Sequence, residues 1–489
     1  MGSKVKLGEL LSILTDYHAN GAYKKLKENV ELLDEPDFAV MIRTTNFEQE
    51  DFTNNLKYIN KHAYSFLAKS KVYPNDIIMN KIANAGSSYL MPDLKVPVSL
   101  AMNLFLLRVD AAKANPIYIY LYLRVNEAYV KSFANGSVTK TITKDAVRNL
   151  EIELPSRSIQ DRIAEQFICI NNKITLNRQI NQTLEQMAQT LFKSWFVDFD
   201  PVVDNALDAG FFEQDLGFSE ELLHRVEVRK AVRKSDNFKP LSEDIRRLFP
   251  DAFEECAEAT LGLGGWVPKR WRYAHFGDLL SSTIGGDWGK DIQDEKHTVQ
   301  SRIVRGTDIP GLSNGQLSDA PLRWVEPKKL KSRQIEVGDI IIEVSGGSPT
   351  QSTGRSLFIT QLMLERLGGV VEPASFCRRF KPKSYTLGML ASIHLKKIYS
   401  DGKMWEYQNQ STGIANFQTK FFLDAEQVLI PSNEVLDTFT KIVRPFIEKS
   451  QNNEQIELTH LRDTLLPKLI SGELSLSDIK IDIPEETLI

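Results

Sequence analysis

Apolar positions divide the chain into two kinds of segment: short apolar runs bounded by turn residues, and two long stretches where apolar residues recur every three or four positions. The first long stretch opens at Leu154-Pro155-Ser156. It carries Ile159, Ile163, Phe167, Ile170, Ile174, Ile180, Leu184, Met187 and Leu191, in steps of three, four and six that keep one helical face. A helix of about 40 residues is ~60 Å long, more than one small domain covers, so the pattern predicts a partner helix. The second stretch supplies one, with Phe439, Ile442, Phe446, Ile456, Leu458, Leu461, Leu465 and Leu469. Pro445 and Pro467 should kink it, because proline removes a backbone donor and clashes with the preceding turn. Asn177 and Asn181 interrupt the first stripe; they either fix the register of the pair or face water.

The segments before the two long stretches repeat one another. Lys6-Leu7-Gly8-Glu9-Leu10-Leu11-Ser12 returns as His275-Phe276-Gly277-Asp278-Leu279-Leu280-Ser281, and Met41-Ile42-Arg43-Thr44-Thr45-Asn46 as Ile303-Val304-Arg305-Gly306-Thr307-Asp308. Tyr73-Pro74-Asn75-Asp76-Ile77-Ile78-Met79 matches Glu336-Val337-Gly338-Asp339-Ile340-Ile341-Ile342, and Leu154-Pro155-Ser156 matches Ile430-Pro431-Ser432. Four matches in one order make a duplication. The fold class expected is mixed α+β: two α/β globules related by duplication, separated by two long helices packed as an antiparallel coiled coil. Such a chain has an approximate two-fold axis, the symmetry of the duplex DNA backbone.

Composition is that of an ordinary folded protein, 42% hydrophobic and 25% charged over 489 residues. The formal charge of −4 conceals an uneven distribution. Residues 1–150 carry 19 basic and 15 acidic side chains and residues 266–430 carry 22 and 17, whereas residues 200–265 carry 8 and 15. Two mildly basic blocks are therefore joined by an acidic connector, whose pieces such as Ser242 to Phe249 predict short helices. Cys169, Cys256 and Cys377 are too few and too far apart for a disulfide framework or a zinc site. No apolar run spans a membrane and no signal peptide opens the chain, so the expected location is the cytoplasm.

The run Leu154-Pro155, Gln160, Arg162-Ile163-Ala164, Leu176-Asn177-Arg178-Gln179-Ile180-Asn181, Thr183-Leu184-Glu185, Met187-Ala188-Gln189 and Leu191-Phe192-Lys193-Ser194-Trp195-Phe196-Val197-Asp198-Phe199-Asp200-Pro201 resembles the central conserved region of type I restriction-modification specificity subunits. Leu465-Leu466-Pro467-Lys468-Leu469-Ile470-Ser471-Gly472-Glu473-Leu474 resembles that family's C-terminal conserved region, and Leu248-Phe249-Pro250-Asp251 before Gly265-Trp266-Val267-Pro268 its entry into the second recognition domain. The resemblance implies this division: recognition domain 1 (1–153), central helix (154–199), connector (200–265), recognition domain 2 (266–430), C-terminal helix (431–475) and tail (476–489). It implies a sequence-specific DNA-binding subunit without catalysis, each domain reading one half of an asymmetric bipartite site in double-stranded DNA. The helices would set the spacer and dock two modification subunits that transfer methyl from S-adenosylmethionine to adenine. Restriction subunits using ATP and Mg would complete the assembly. No cofactor is expected in this chain itself.

An enzymatic alternative, a self-contained adenine methyltransferase or nuclease, rests on near-misses. Asn115-Pro116-Ile117-Tyr118 lacks the second proline of an adenine-clamping element and reads as a helix cap followed by proline. Gly285-Gly286-Asp287-Trp288-Gly289-Lys290-Asp291 has the wrong spacing for a phosphate loop. Asp339 and Glu343 resemble a nuclease pair, but Ser345 stands where a lysine is needed. A coiled-coil scaffold with no DNA role is the third reading. For DNA contact, the candidates are basic residues and small polar loops recurring in both halves. These are Arg43 and Arg305; Asn84, Gly86, Ser87 and Ser88 with Ser345, Gly346, Gly347 and Ser348; and Asn135 and Gly136 with Thr412 and Gly413. Trp195, Phe196 and Phe199 are candidates for anchoring a modification subunit, with core packing as the alternative.

Overall fold

The computed structural model describes residues 3–49, 51–53, 56–136, 139–316, 319–348, 351–411, 414–452 and 454–474. The chain forms two compact units, one of residues 1–173 with 458–489 and one of residues 174–457. Among the described residues, no helix is long and apolar enough to cross a membrane.

In the first unit the strands are β1 (Ser3–Lys6), β2 (Leu11–Asp16), β3 (Ala39–Ile42), β4 (Tyr58–Ile59), β5 (Lys71–Val72), β6 (Ile77–Asn80), β7 (Ser88–Leu90), β8 (Val98–Leu100), β9 (Leu104–Val109) and β10 (Glu151–Leu154). They build two four-stranded sheets, β2-β9-β6-β7 and β4-β3-β8-β5, and an antiparallel pair of β1 with β10. Among the described residues of this unit only β3 and β8 run parallel. Ile77, Ile78, Met79, Leu104 and Leu107 are almost wholly buried, as continuous apolar runs require when both faces of a sheet are covered. Helix α1 (Pro116–Val125) starts at a cap in which Asn115 Oδ1 accepts the Ile117 and Tyr118 amides at 2.9 and 3.3 Å. The residues that resembled an adenine clamp thus start a core helix.

In the second unit β11 (Phe253–Glu255) of the connector pairs antiparallel with β12 (Trp266–Pro268), which opens the second globule. Then follow β13 (Arg272–His275), β14 (Leu280–Gly285), β15 (Val299–Val304), β16 (Leu322–Val325), β17 (Ile340–Glu343), β18 (Ser345–Gly346), β19 (Ser356–Phe358), β20 (Val371–Pro373), β21 (Cys377–Pro382), β22 (Gln408–Ser411), β23 (Ile414–Phe417) and β24 (Gln427–Ile430). Sheet β14-β21-β17-β19 reproduces β2-β9-β6-β7, sheet β16-β15-β20 reproduces β4-β3-β8, and β13 pairs with β24 as β1 does with β10. The parallel pair recurs as β15 and β20, and the register shift at Leu11/Ile13 recurs at Leu280/Ser282. Duplication is therefore visible in topology. The second copy adds the sheet β18-β23-β22, where the described residues of the first form the bridges Ile82↔Thr141 and Asn135↔Thr141.

The long helix α2 (Arg157–Phe196) is continuous. Its buried positions include Ile163, Phe167, Ile174, Asn177, Asn181, Ala188, Phe192 and Trp195, a succession of threes and fours broken only where Ile170 and Leu184 are half-buried. This corrects the stripe expected from sequence: Ile159, Ile180 and Met187 are exposed, and the seam runs through the two asparagines, so neither faces water. In the first unit, Ile163 and Phe167 share a core with Leu466, Leu469 and Ile470. In the second, Phe192 meets Phe439 edge to face at 6.3 Å. The other long stretch is two helices, α6 (Asn433–Ser450) and α7 (Glu454–Ser471), which follow α3 (Asp200–Asp208), α4 (Glu220–Arg233) and α5 (Tyr385–Ser400) in the chain. Pro445 and Pro467 lie inside α6 and α7. The break comes after Ser450, where the buried Gln451 side chain accepts from Thr360 Oγ1 at 2.6 Å and donates to the Phe358 carbonyl at 3.0 Å.

The acidic connector is ordered by its own countercharges. Asp200, Asp204 and Asp208 along α3 face Arg225, Arg229 and Arg233 along α4, and Arg246 adds a second cation at Asp208. Arg229 holds Asp204 bidentately at 2.9 and 2.6 Å. Four-residue spacing on both helices aligns the rows.

Candidate nucleic-acid interface

Sheet register decides which loops meet. In the first unit Asp16 pairs with Phe105, Phe105 with Met79, and Met79 with Ser88. The segments leaving β2 and β6 and those entering β7 and β9 therefore share one end of the sheet. The bridge Ile82↔Thr141, with Ala83 N–H to Lys140 O at 3.2 Å and Ile142 N–H to Lys81 O at 3.0 Å, draws residues 135–141 to the same end. Asn84, Gly86, Ser87 and Ser88 are thus brought beside Asn135 and Gly136.

Their side chains divide into supports and exposed groups. Ser87 donates to Glu127 at 2.5 Å and Ser88 to the Gly86 carbonyl at 3.3 Å, and both are buried, so these hydroxyls hold the loop together. Asn84 is exposed and accepts from Lys131 at 2.7 Å. Gly86 has φ +96°, and at Gly136 (φ +132°) a Cβ would lie 2.4 Å from the Thr139 carbonyl oxygen, a close approach only glycine permits. Lys81 and Lys144 converge on Asp16 at 3.2 and 3.0 Å. Burial pushes that carboxyl up, but the two lysines outweigh it and hold its pKa below the usual value.

In the second unit Gly285 pairs with Arg378 and Arg378 with Ile342, so the equivalent sheet end carries the segment after β17. Ser345 and Gly346 form β18 against Asn416 and Ala415, and Ser345 Oγ donates to Asn416 Oδ1 at 2.9 Å. Gly347 (φ +77°) and Ser348 form a turn closed by Ser348 N–H to Gln351 O at 2.9 Å. Beneath them Glu343 is buried and held bidentately by Arg355 at 2.8 and 2.6 Å; a Cβ on Gly346 would lie 2.6 Å from its Oε1. Thr412 and Gly413 lie outside the described residues.

The two loops correspond differently from the sequence match. Met79 pairs with Ser88 as Ile342 pairs with Ser356, so residues 81–87 answer to residues 344–355. The structural counterpart of Gly86 is then Gly354, at φ +96° and +97°. Ser345 to Ser348 belong to the longer part of the second loop, which has no partner in the first. Ser87 corresponds to Arg355, a difference between the copies that sequence matching missed.

Arg43 and Arg305 do occupy equivalent places. The Arg43 amide donates to Asn46 Oδ1 at 3.0 Å and the Arg305 amide to Asp308 Oδ2 at 2.8 Å. The Arg305 guanidinium is also bound to Asp308, through Nε at 3.0 Å and Nη2 at 2.7 Å. Asp339 is likewise committed to Arg379 at 2.7 Å, and with Glu343 tied to Arg355 the two carboxylates of the nuclease alternative are ion-pair partners in the sheet.

Trp195, Phe196 and Phe199 are corrected from docking candidates to core residues. All three are almost completely buried, with Trp195 4.8 Å from Phe249 and Phe196 4.8 Å from Phe439 between ring centroids. Aromatic side chains are the largest apolar area available where helix, connector and second globule meet. The exposed apolar groups of α2 in this unit are Leu176, Ile180 and Met187.

Residues 3–186 match the type I restriction modification DNA specificity domain. The HindI specificity subunit, from a type I restriction enzyme of Haemophilus influenzae, is 27% identical over 425 residues, 83% of this chain and 88% of that protein. The MjaIX specificity subunit of Methanocaldococcus jannaschii is 22% identical over 374 residues, 76% of this chain and 71% of that protein. Among solved structures, the S subunit of a type I restriction-modification system from M. genitalium is similar at 13% identity over 96% of each chain, with a TM-score of 0.47. With this domain over residues 3–186 and two specificity subunits matched over most of its length, the chain is similar to the specificity subunits of type I restriction enzymes.

Proposed function

We propose that each unit reads one half of an asymmetric bipartite DNA site with the loops at one end of its larger sheet, and that the chain itself performs no catalysis. The observation that carries the proposal is the recurrence of the same loop set, after β6 and before β10 in one unit and after β17 and before β24 in the other, on topologically identical sheets. Identical frames with different loops suit a reader of two different half-sites. Arg43 and Arg305 would orient the turn between the parallel strands, and Asn84, Asn135, Ser345 and Ser348 would offer polar groups to base edges or phosphates. Helices α2, α6 and α7 would set the spacer. Modification subunits, bringing S-adenosylmethionine, would dock on the exposed Leu176, Ile180 and Met187, and restriction subunits would supply ATP- and Mg-dependent cleavage, all in the cytoplasm.

Selection from a randomised duplex library by the chain purified with its methyltransferase subunits tests this. Two fixed sequence blocks at constant separation are expected; a single contiguous block, or no enrichment, would count against it.

A further inference from the structure

The three-residue turn between the parallel strand and its successor is alike in the two units: Ala101-Met102-Asn103 joins β8 to β9, and Ala374-Ser375-Phe376 joins β20 to β21. Two of its backbone hydrogen bonds recur in both. Ala101 N–H donates to Ile42 O at 3.0 Å and Ala374 N–H to Val304 O at 2.8 Å, on the residues that precede Arg43 and Arg305. The third residue's carbonyl accepts the first amide of the reading loop, Lys81 N–H to Asn103 O at 2.9 Å and Val344 N–H to Phe376 O at 2.8 Å. The turn is thus a fixed part of the sheet end where the reading loops gather.

What differs is the side chain presented. Asn103 is exposed in the left-handed region (φ +69°), and no hydrogen bond to its amide is found among the described residues. Phe376 is 65% exposed, with no aromatic neighbour among the described residues. The left-handed backbone at Asn103 favours asparagine or glycine, but the amide itself is uncommitted, and the exposed ring of Phe376 packs on no aromatic neighbour among the described residues. Both are groups that read base edges in the major groove: an asparagine amide pairs bidentately with adenine N6 and N7, and a phenylalanine ring contacts the thymine methyl.

Resting on the half-site reading above, we infer that this turn position is a specificity determinant in each unit, with Asn103 reading an adenine in one half-site and Phe376 contacting a thymine methyl in the other. Substitutions that respect the left-handed backbone at Asn103 should alter base preference and leave assembly intact.

The test uses the full chain with its methyltransferase subunits and duplex oligonucleotides carrying the selected site and each single-base substitution. Phe376→Asn should change preference at one base pair of one half-site, and Asn103→Gly, which keeps the left-handed backbone, should relax one position of the other, each by roughly 5- to 150-fold. Replacing thymine by uracil at the Phe376 position should weaken the wild-type complex and leave the Phe376→Asn complex unaffected. Preferences within two-fold of wild type for both variants would overturn the inference, as would a uniform loss over all substitutions. A wild-type complex that selects no bipartite site would instead refute the half-site reading itself.

Discussion

Glu372 provides a quantitative test of how the second unit is built. It sits on β20 opposite Ile303, wholly buried, and neither carboxylate oxygen has a hydrogen-bond partner among the described residues. Its counterpart in the first unit is Ser99, opposite Met41, whose hydroxyl donates to the Ser70 carbonyl at 3.3 Å. Burial, with a smaller contribution from the Asp287 charge, pushes the Glu372 carboxyl from its ordinary 4.5 up to about 7. Below pH 4.5 the group is protonated in the folded and unfolded chains alike, and nothing is lost. Between 4.5 and 7 only the unfolded chain ionises, so stability falls as pH rises, and above 7 the loss is constant. At about 1.4 kcal/mol per pH unit, the loss reaches about 3 kcal/mol. Glu372→Gln keeps the shape and cannot ionise, so it should be nearly neutral at pH 4 and more stable than wild type by about 3 kcal/mol at pH 8. Urea unfolding followed by tryptophan fluorescence isolates the effect, because all six tryptophans, Trp195, Trp266, Trp271, Trp288, Trp324 and Trp405, lie in the second unit. An equal stability difference at both pH values would refute the reasoning, as would a variant less stable at pH 8.

Other consequences follow from the same contacts. Arg229→Met leaves Asp204 and Asp200 without their central partner and should cost about 3 kcal/mol in tryptophan-detected unfolding; a neutral result would mean the paired rows of α3 and α4 do not order the connector. Trp195→Ala should cost about 4 kcal/mol as a core cavity, yet the folded fraction should still co-purify with methyltransferase subunits. The triple change Leu176→Ser, Ile180→Ser, Met187→Ser should do the reverse, sparing stability and abolishing co-purification; retained binding would remove α2 from the docking surface. Gly136→Ala should weaken binding through one half-site by more than about ten-fold by distorting the turn at Thr139, measured by fluorescence anisotropy on duplexes with only one half-site intact.

Much of the fold was legible because the duplication preserves short strands and their entry turns, and ordered matches such as Tyr73–Met79 with Glu336–Ile342 mark equivalent positions. The helical seam was less legible. Periodicity counts apolar residues, so two asparagines at seam positions diverted the stripe onto Ile180 and Met187. The break between α6 and α7 left no signal because Gln451 fixes it through Thr360 and Phe358, contacts remote in sequence. Loop equivalence slipped for a similar reason: glycine-serine stretches look alike, and only pairing register identifies Gly354 as the partner of Gly86. Asn103 and Phe376 were invisible because unlike residues at an equivalent position produce no match, although it is there that two readers with different preferences should differ.

A loop exchange shows whether each sheet end reads its own half of the site. This is tested most directly by mapping methylated adenines in cells that carry the partner subunits and a chain whose residues 344–355 are replaced by residues 81–87. A bipartite motif is expected in which one half is unchanged and the other is lost or altered. A motif altered in both halves, or identical to that of the wild-type chain, would contradict the half-site reading.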